Sequence, residues 1–435
     1  MWKALGILSM CLVLVGAASF GGLEEGKPPD LLPVYVKDKA GFINRQGKMV
    51  IRPRFDMVGH FHEGLAAVSI KDIWGYIDKT GKIVIPLQKG LSGLPFSQGR
   101  AVIRIGDYEG YIDRTGKVVI KPQFDDAFPF ERGLACVRVG GIYGFIDLKG
   151  KMVIPPQFPG WVPLPGDFIK IEKDGKFGFI DRKGNVVSPP QFDAARDFSE
   201  GLAAVASGKK WGYLNAKGEF AIPLQYDEAQ SFSQGLAAVG LGDKYGYLDR
   251  TGKMVMPLQF SAAGEFSDGV ALVHLPDGTK ALLDKQGKIV GLSFSFDQLE
   301  PFTHCLAAVK AGDKYGYVDK NGKLIVAPQY DAADPFDQGL AKVGREDKYG
   351  LIDRTGKVVV PLEYNQIFDF HEDRARVQKE RFFGFIDRTG RLITPIKFLY
   401  SETDDFDFHG GLAYVVWEGG LGYIDRQGKL IWKDE

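Results

Sequence analysis

Short apolar segments separated by turn-forming residues run along the whole chain. Residues 65–68 and 83–85 are entirely apolar, so both faces of the strands they predict should be covered. In residues 74–77, Trp74 and Tyr76 fall on one face of a strand, and Gly75 and Ile77 fall on the other. The pattern therefore predicts an all-β protein built from small stacked sheets.

The segment that begins at Trp74 and ends with Asp78-Lys79-Thr80-Gly81-Lys82 recurs throughout the chain. Its copies define 12 repeats, mostly 34 or 35 residues apart, with a last interval of 38 residues. A fixed period of this length is typical of repeat architectures. The Asp position is occupied by Asp78, Asp113, Asp147, Asp181, Asp249, Asp284, Asp319, Asp353, Asp387 and Asp425, and by Asn44 and Asn215 in two further copies.

Each repeat is predicted to form three antiparallel strands, which in one copy are residues 236–239, 245–248 and 253–256. Pro257 is expected to end the third strand. The turn at 249–252 has a physical cause, because the Asp carboxylate accepts hydrogen bonds from the backbone ahead of it and Gly252 takes a positive φ. Asn can replace Asp here, so we interpret all 12 side chains as structural.

The glycine before the second aromatic residue is expected to make room for a ring from the next repeat, as at Gly75. The position is Gly in 11 repeats, and the exception is Ala281. Together these motifs resemble the WG-repeat (KWG-repeat) family over residues 33–433, although Trp-Gly itself occurs only at Trp74-Gly75 and Trp211-Gly212. The resemblance implies a β-rich array that acts as an interaction module without a shared catalytic site.

An open superhelical solenoid is the favoured arrangement of the predicted array, residues 33–435. Propellers usually close with roughly 4–8 blades, and both chain ends fall at repeat boundaries, so no split repeat is available to close a ring. A closed propeller-like ring, or two propellers of six repeats each, is the alternative.

The N-terminus has the features of an export signal. Lys3 precedes an apolar segment, and the small residues 16–19 would suit cleavage after Ala18 or Ser19. We therefore predict a signal peptide over residues 1–19, a linker over 20–32, and a periplasmic or extracellular protein with no membrane span after cleavage. The two cysteines that remain, Cys136 and Cys305, are expected to be small buried thiols.

No established catalytic motif or cofactor-binding loop is present in the sequence, so we predict a protein that is not an enzyme and needs no cofactor. His60 and His62 form a His-x-His pair, but the slot of His62 holds varied polar residues in other repeats, which favours a solvated linker over a metal site. Asp404, Asp405 and Asp407 favour a solvated insertion. A hydrolase with its site in the loops near Trp161 or residues 404–407 is the remote alternative.

Two features are candidates for binding. The turns between the second and third strands carry cation pairs that would form a basic row if the repeats stack in register, and Trp161 lies in a proline-rich loop that could present it to a ligand. The alternatives are soluble turn residues and a ring packed on its own array. The candidate cations are Arg114, Lys117, Arg250, Lys253, Arg354 and Lys357.

The sequence thus predicts a binding scaffold that presents a repeated surface to a protein partner. The second hypothesis is a protein that binds envelope glycan or another polyanion through the basic row. Lys plus Arg and Asp plus Glu are equal at 55 each, so net charge gives no reason to expect nucleic-acid binding.

Overall fold

The structure is a computed structural model that describes residues 30–158, 167–292, 294–400 and 406–434. The regular secondary structure of these residues consists entirely of β-strands. They form 12 antiparallel sheets, which we call blades 1–12 in chain order. The predicted signal peptide lies outside the described residues, and the first strand begins at Leu31. Within the described residues, no helix is long and apolar enough to cross a membrane.

The strands of blades 1–4 follow the chain without crossovers. Their bounds are β1–β3 (Leu31–Val36, Lys39–Asn44, Met49–Phe55), β4–β7 (Met57–His62, Leu65–Ile70, Ile73–Asp78, Ile83–Gln88), β8–β10 (Ala101–Ile105, Tyr108–Ile112, Val118–Phe124) and β11–β14 (Asp126–Ala127, Leu134–Val139, Ile142–Asp147, Met152–Phe158).

Blades 5–10 repeat the same order. Their bounds are β15–β17 (Phe168–Lys173, Lys176–Asp181, Val186–Phe192), β18–β21 (Ala194–Ala195, Leu202–Ser207, Lys210–Asn215, Phe220–Tyr226), β22–β25 (Glu228–Ala229, Leu236–Leu241, Lys244–Asp249, Met254–Phe260), β26–β29 (Ala262–Ala263, Val270–His274, Lys280–Asp284, Ile289–Gly291), β30–β33 (Gln298–Leu299, Leu306–Ala311, Lys314–Asp319, Leu324–Tyr330) and β34–β37 (Ala332–Ala333, Leu340–Arg345, Lys348–Asp353, Val358–Tyr364).

Blades 11 and 12 complete the chain. Their bounds are β38–β41 (Gln366–Ile367, Arg374–Lys379, Phe382–Asp387, Phe398–Leu399) and β42–β44 (Leu412–Trp417, Gly420–Asp425, Leu430–Lys433). The blades fall into two compact structural units, one formed by blades 1–4 together with blades 11 and 12, and the other by blades 5–10.

Most blades contain one more strand than predicted. Four of the described sheets have three strands and eight have four, because part of the linker pairs with the first predicted strand. In blade 7 the added strand is Glu228–Ala229, and Ala229 pairs with Val239. We keep the name third strand for the predicted one, which in blade 7 is Met254–Phe260. It continues through Pro257, so the expectation that this proline ends the strand is wrong.

The proline is accommodated by a bulge opposite the conserved glycine of the same blade. In blade 7, Tyr245 pairs with Phe260 and Tyr247 pairs with Met256. An advance of two residues along the second strand therefore corresponds to four residues along the third, and the extra residues form the bulge. A Cβ on Gly246 would lie 2.5 Å from the Met256 carbonyl oxygen and 2.9 Å from the Pro257 carbonyl carbon. The glycine therefore makes room for backbone of its own blade, rather than for a ring from the next repeat as the sequence suggested.

Blade 8 shows that the glycine and the bulge belong together. Ala281 replaces the glycine there, and the third strand is the short segment Ile289–Gly291, which contains no proline. Ala281, Leu282 and Leu283 pair with Gly291, Val290 and Ile289 without any shift in register. A Cβ is thus tolerated where the opposing strand is regular. Proline on an edge strand also blocks pairing with further strands, which protects the sheet edges of the blades whose third strand contains it.

Neighbouring blades within each unit are held together by a repeated aromatic pair. In blade 6 the ring of Tyr213 lies 4.9 Å from that of Phe232 in blade 7, and the Tyr213 hydroxyl donates a 2.7 Å hydrogen bond to the Gln230 carbonyl. Burial raises the pKa of Tyr213 well above its ordinary value, so the hydroxyl remains a donor. The same pairs are Phe42–Phe61, Tyr76–Phe96, Tyr111–Phe130, Phe179–Phe198, Tyr247–Phe266, Tyr317–Phe336 and Phe385–Phe408.

In several blades, the turn that precedes the first predicted strand adds a second set of bonds between blades. The Ser199 hydroxyl of blade 6 donates to the Phe232 carbonyl of blade 7 at 2.6 Å, and the Glu200 carboxylate accepts from the Gly235 amide at 2.8 Å. Ser233 and Gln234 repeat both bonds to blade 8. Ser199 and Ser233 occupy the repeat position of His62, which the sequence suggested was part of a solvated linker. That interpretation is wrong for these residues, because they link neighbouring blades.

The two ends of the array meet within the first structural unit. The Tyr423 hydroxyl of blade 12 donates a 2.9 Å hydrogen bond to the Pro33 carbonyl of blade 1, and Leu412 and Tyr423 share a buried cluster with Val34. A Cβ on Gly47 would collide with the Ile431 carbonyl oxygen, so blades 1 and 12 approach as closely as neighbours along the chain do. The predicted open superhelix is wrong, and the propeller-like alternative is supported. Whole blades make this contact, so a split repeat is not needed.

Gly75→Val should lower the free energy of unfolding by about 1–3 kcal/mol, because a Cβ would lie 2.7 Å from the Ile85 carbonyl oxygen and 2.9 Å from the Leu87 amide. Ala281→Gly is the matched control, for which we expect a loss of about 0.5–1 kcal/mol from added backbone freedom. Denaturant unfolding measures both. Equal stability of Gly75→Val and the wild type would contradict the proposed role of the glycine.

Tyr423→Phe should cost about 1–3 kcal/mol of stability, because it leaves the Pro33 carbonyl without its buried donor. Tyr108→Phe removes the same atom from a tyrosine that is 51% exposed in the same unit, and should change little. Thermal unfolding of the two variants side by side distinguishes them. Identical melting curves would show that the contact between the chain ends contributes nothing to stability.

Candidate functional site

The turns that carry the predicted cations have the hydrogen bonds expected from the sequence. The Asp249 carboxylate accepts from the backbone amides of Thr251 at 2.9 Å and Lys253 at 3.1 Å, and Gly252 has a φ of 84°. The hydrogen bond from the Thr251 hydroxyl lowers the pKa of Asp249. In blade 6 Asn215 accepts the equivalent bonds from Lys217 and Glu219. These side chains therefore shape the turn, as predicted.

The first cation of several predicted pairs is bound to the preceding blade. Arg114 donates a 2.6 Å hydrogen bond to the Glu63 carbonyl, and Arg354 donates to the His304 carbonyl. Lys285 and Lys320 form the equivalent bonds to Gln234 and Asp268. A guanidinium or ammonium group held in this way links two blades, which reduces its capacity to bind a ligand.

Arg250 occupies the same turn position and differs from these residues. Within the described residues its guanidinium forms no hydrogen bond or ion pair. Its side chain is exposed and lines a cleft between blades 6 and 7, together with Lys217 of the preceding turn. The predicted first cations Arg114 and Arg354 are bound in this way. Arg250 is the one of the three whose N–H donors are available among the described residues.

The second cation of each pair lies beside exposed apolar side chains. Lys117, Lys253 and Lys357 are all exposed. Along the chain, Lys117 directly precedes Val118, and one residue separates Lys253 from Val255. We call the exposed apolar residues at or beside the starts of the third strands the third-strand face. It comprises Val50, Ile83, Val84, Val118, Val119 and Leu430 in the first unit, and Val186, Phe220, Val255, Ile289 and Val358 in the second.

The third-strand face is not evident from the sequence. The apolar residues after each turn were interpreted as covered on both sides, because no residue type in such a run distinguishes a covered strand from an edge strand. The signal available was the alternation in residues 253–256, where the apolar run begins directly after an exposed lysine. In the structure Val255 is 43% exposed, while Met256 is buried.

The irregular loops contribute little to the described site. Trp161 lies in residues 159–166, and Asp404 and Asp405 lie in residues 401–405, all outside the described residues. Asp407 is described, and its carboxylate accepts a 2.8 Å hydrogen bond from Arg376. Arg376 is buried and Asp407 is largely so, and the pair joins blades 11 and 12.

The histidines and cysteines add no further site. His60 and His62 lie on β4, and the described residues contain no group of three or more side chains that could hold a metal ion. Cys136 is buried, as expected. Cys305 is exposed, contrary to prediction, because it occupies a turn with a φ of 71° where other blades have glycine.

Comparison with solved structures gives only distant likenesses. BamB from Moraxella catarrhalis is 14% identical with a TM-score of 0.29, over 61% of this chain and 92% of that chain. Hsv2 from Kluyveromyces marxianus is 12% identical with a TM-score of 0.32, over 52% and 92%. PorZ from Porphyromonas gingivalis is 11% identical with a TM-score of 0.23, over 87% and 58%. Comparison with curated proteins gives no match.

A family model described as WG containing repeat matches ten segments that together span more than half of the chain. They are residues 41–72, 74–88, 110–141, 143–177, 177–211, 211–245, 245–274, 315–349, 349–380 and 383–420. The repeat inferred from the turn spacing is the unit that this model describes, and the chain belongs to the family of proteins with WG-containing repeats.

Proposed function

We propose that the protein is an exported, non-enzymatic binding scaffold that presents its third-strand face to a protein partner. The observation that carries the proposal is the repetition of exposed apolar side chains beside exposed cations at the third strands of several blades. In the second unit, Ile289 and Val358 directly follow Lys288 and Lys357, occupy the same repeat position five residues after the Asp of the turn, and are each 43% exposed. Large apolar side chains left open at equivalent positions are typical of an interaction surface.

The chemistry of this face defines the kind of partner that would fit. Lys253 and Lys357 lie beside the apolar positions, so acidic side chains around an apolar patch would complement the surface. The proline-containing bulges restrict backbone pairing at the third strands, so the partner would bind through side-chain contacts rather than by adding a strand. A repeated surface of this kind provides contact area without a change of fold.

Binding of an anionic envelope polymer is the second candidate function. The exposed side chains of Lys117, Lys253 and Lys357, together with Arg250, favour it. Contacts of exposed cations with a polyanion weaken as ionic strength rises, whereas apolar contacts do not. The salt dependence of retention therefore separates the two candidates.

The double variant Ile289→Glu/Val358→Glu should lose the partner, because it places two carboxylates at equivalent apolar positions of the face. Immobilised protein would be exposed to an envelope extract and washed with rising salt. Leu241→Glu is the matched control, since Leu241 is also 43% exposed in the same unit but lies at the end of β23. A protein retained at high salt by the wild type and the control, and lost from the double variant, supports the proposal.

Two results would contradict the protein-binding proposal. Equal retention by the double variant and the wild type would exclude the third-strand face as the binding surface. Glycan released at modest salt, with no protein that depends on the face, would favour the polymer instead. The substitutions are at exposed sites and should change stability by less than about 0.5 kcal/mol, which a melting curve checks.

Export is a separate part of the proposal and has its own test. Expression of the full chain in a bacterial host should yield a secreted or periplasmic product that begins directly after Ala18 or Ser19. Intact-mass measurement of the purified protein identifies that end. A product that retains residues 1–19 and remains in the cytoplasm would contradict export while leaving the binding proposal open to its own test.

A further inference from the structure

The cleft between blades 6 and 7 differs in charge from the equivalent cleft between blades 12 and 1. It has a volume of about 680 Å³ and lies wholly within the second structural unit. Its charged lining residues are Lys217 and Arg250, and no carboxylate lines it; the other lining residues are Gly201, Leu202, Asn215, Ala216, Ala221 and Thr251. The cleft between blades 12 and 1 is also lined by cations, but includes Glu372 and Asp425.

In the cleft between blades 12 and 1, Glu372 neutralises Arg426. Glu372 accepts a 2.8 Å hydrogen bond from Arg426, along with bonds from the Gly410 and Gly411 amides. The cleft between blades 6 and 7 has no such pair. Its turn begins with Asn215-Ala216, where most other turns have an aspartate followed by a cation, so this turn supplies neither that carboxylate nor that cation to the site.

The donors of Arg250 are available because the bond seen in its counterparts is not formed. Arg114 and Arg354 donate to the carbonyls of Glu63 and His304 in the preceding blade. The corresponding carbonyl for Arg250 belongs to Glu200. Within the described residues, neither the guanidinium of Arg250 nor the ammonium of Lys217 forms a hydrogen bond or ion pair.

The carboxylates nearest to this cleft along the chain are already engaged with other donors. Glu219 accepts a 3.1 Å hydrogen bond from the Asn215 side-chain amide, and Glu200 accepts a 2.8 Å bond from the Gly235 amide in blade 7. The Thr251 hydroxyl donates to Asp249. Recognition in the cleft would therefore depend on the two cations, with the small side chains of Gly201, Ala216 and Ala221 leaving the space between the turns open.

We propose that the cleft between blades 6 and 7 binds a phosphate or carboxylate group carried by a larger molecule, with Arg250 and Lys217 as its ligands. A guanidinium presents paired N–H donors that match the oxygens of either group, and an ammonium adds a point charge. The volume lies within the range of small-molecule sites and exceeds the size of a single oxyanion. The site goes beyond the proposed scaffold role, because it requires no partner on the third-strand face.

Calorimetric titration of the full-length protein with glucose 6-phosphate, glucuronate and glucose tests the proposal. Glucose 6-phosphate, glucuronate or both should bind, and neutral glucose should not. Arg250→Gln should weaken binding by roughly tenfold or more, because a hydrogen bond to a charged group is lost. Lys217→Gln should also weaken it, while the melting temperature of both variants should stay unchanged, since neither side chain bonds to another part of the described protein.

Arg354→Gln is the matched control, because its guanidinium is held by the His304 carbonyl in the same unit. It should leave the affinity for these ligands unchanged and lower the melting temperature slightly. Binding to Arg250→Gln at wild-type affinity would overturn the proposal, as would an equal loss in Arg354→Gln, which would indicate diffuse charge attraction. A preference for one charged ligand supports the site and identifies its oxyanion. Loss of partner binding in Ile289→Glu/Val358→Glu is independent of this result.

Discussion

The rest of the structure depends on the contact between the buried aromatic ring of each second strand and the next blade. In blade 7, Tyr247 packs against Phe266 of blade 8 and donates its hydroxyl to the Gly264 carbonyl. One side chain thus supplies apolar burial, ring packing and a hydrogen bond to the next blade. Because successive blades in each unit repeat the contact, their turns and third strands recur in equivalent positions. The repeated third-strand face and the cleft at Arg250 both follow from that register.

The close approach of the blades explains why so many conserved features of the repeat are structural. The glycine of the turn lies against the third strand of the preceding blade, so that a Cβ on Gly81 would be 3.1 Å from the Ile51 side chain. The cations of Arg114 and Arg354 reach backbone carbonyls of the preceding blade. Function is therefore best sought where one blade departs from the pattern, as blade 6 does at Asn215 and Ala216.

The third strands have a different constraint, because they combine exposure with irregular backbone. Pro257 stands in a bulge opposite Gly246, and the strand presents Val255 to solvent while Met256 remains buried. The bulge protects the edge from unwanted strand pairing and leaves the side chains available. A face of this kind can bind a partner through side chains while the array itself stays resistant to association through its edges.

The sequence by itself determined the repeat, the strand-rich class and the turn at each Asp or Asn, because these depend on local hydrogen bonds and on residues a few positions apart. It did not reveal that Gly75 makes room for its own blade, since the bulge that requires it lies ten or more residues further along. Nor did it reveal the Ser199 and Glu200 bonds, which join residues about 33–35 positions apart. Only the tertiary structure decided that Tyr423 contacts Pro33, and that Arg250 has no acceptor among the described residues while Arg114 and Arg354 do. These outcomes depend on how blades pack against one another, and the same residue types at the same repeat positions can be bound or available according to that packing.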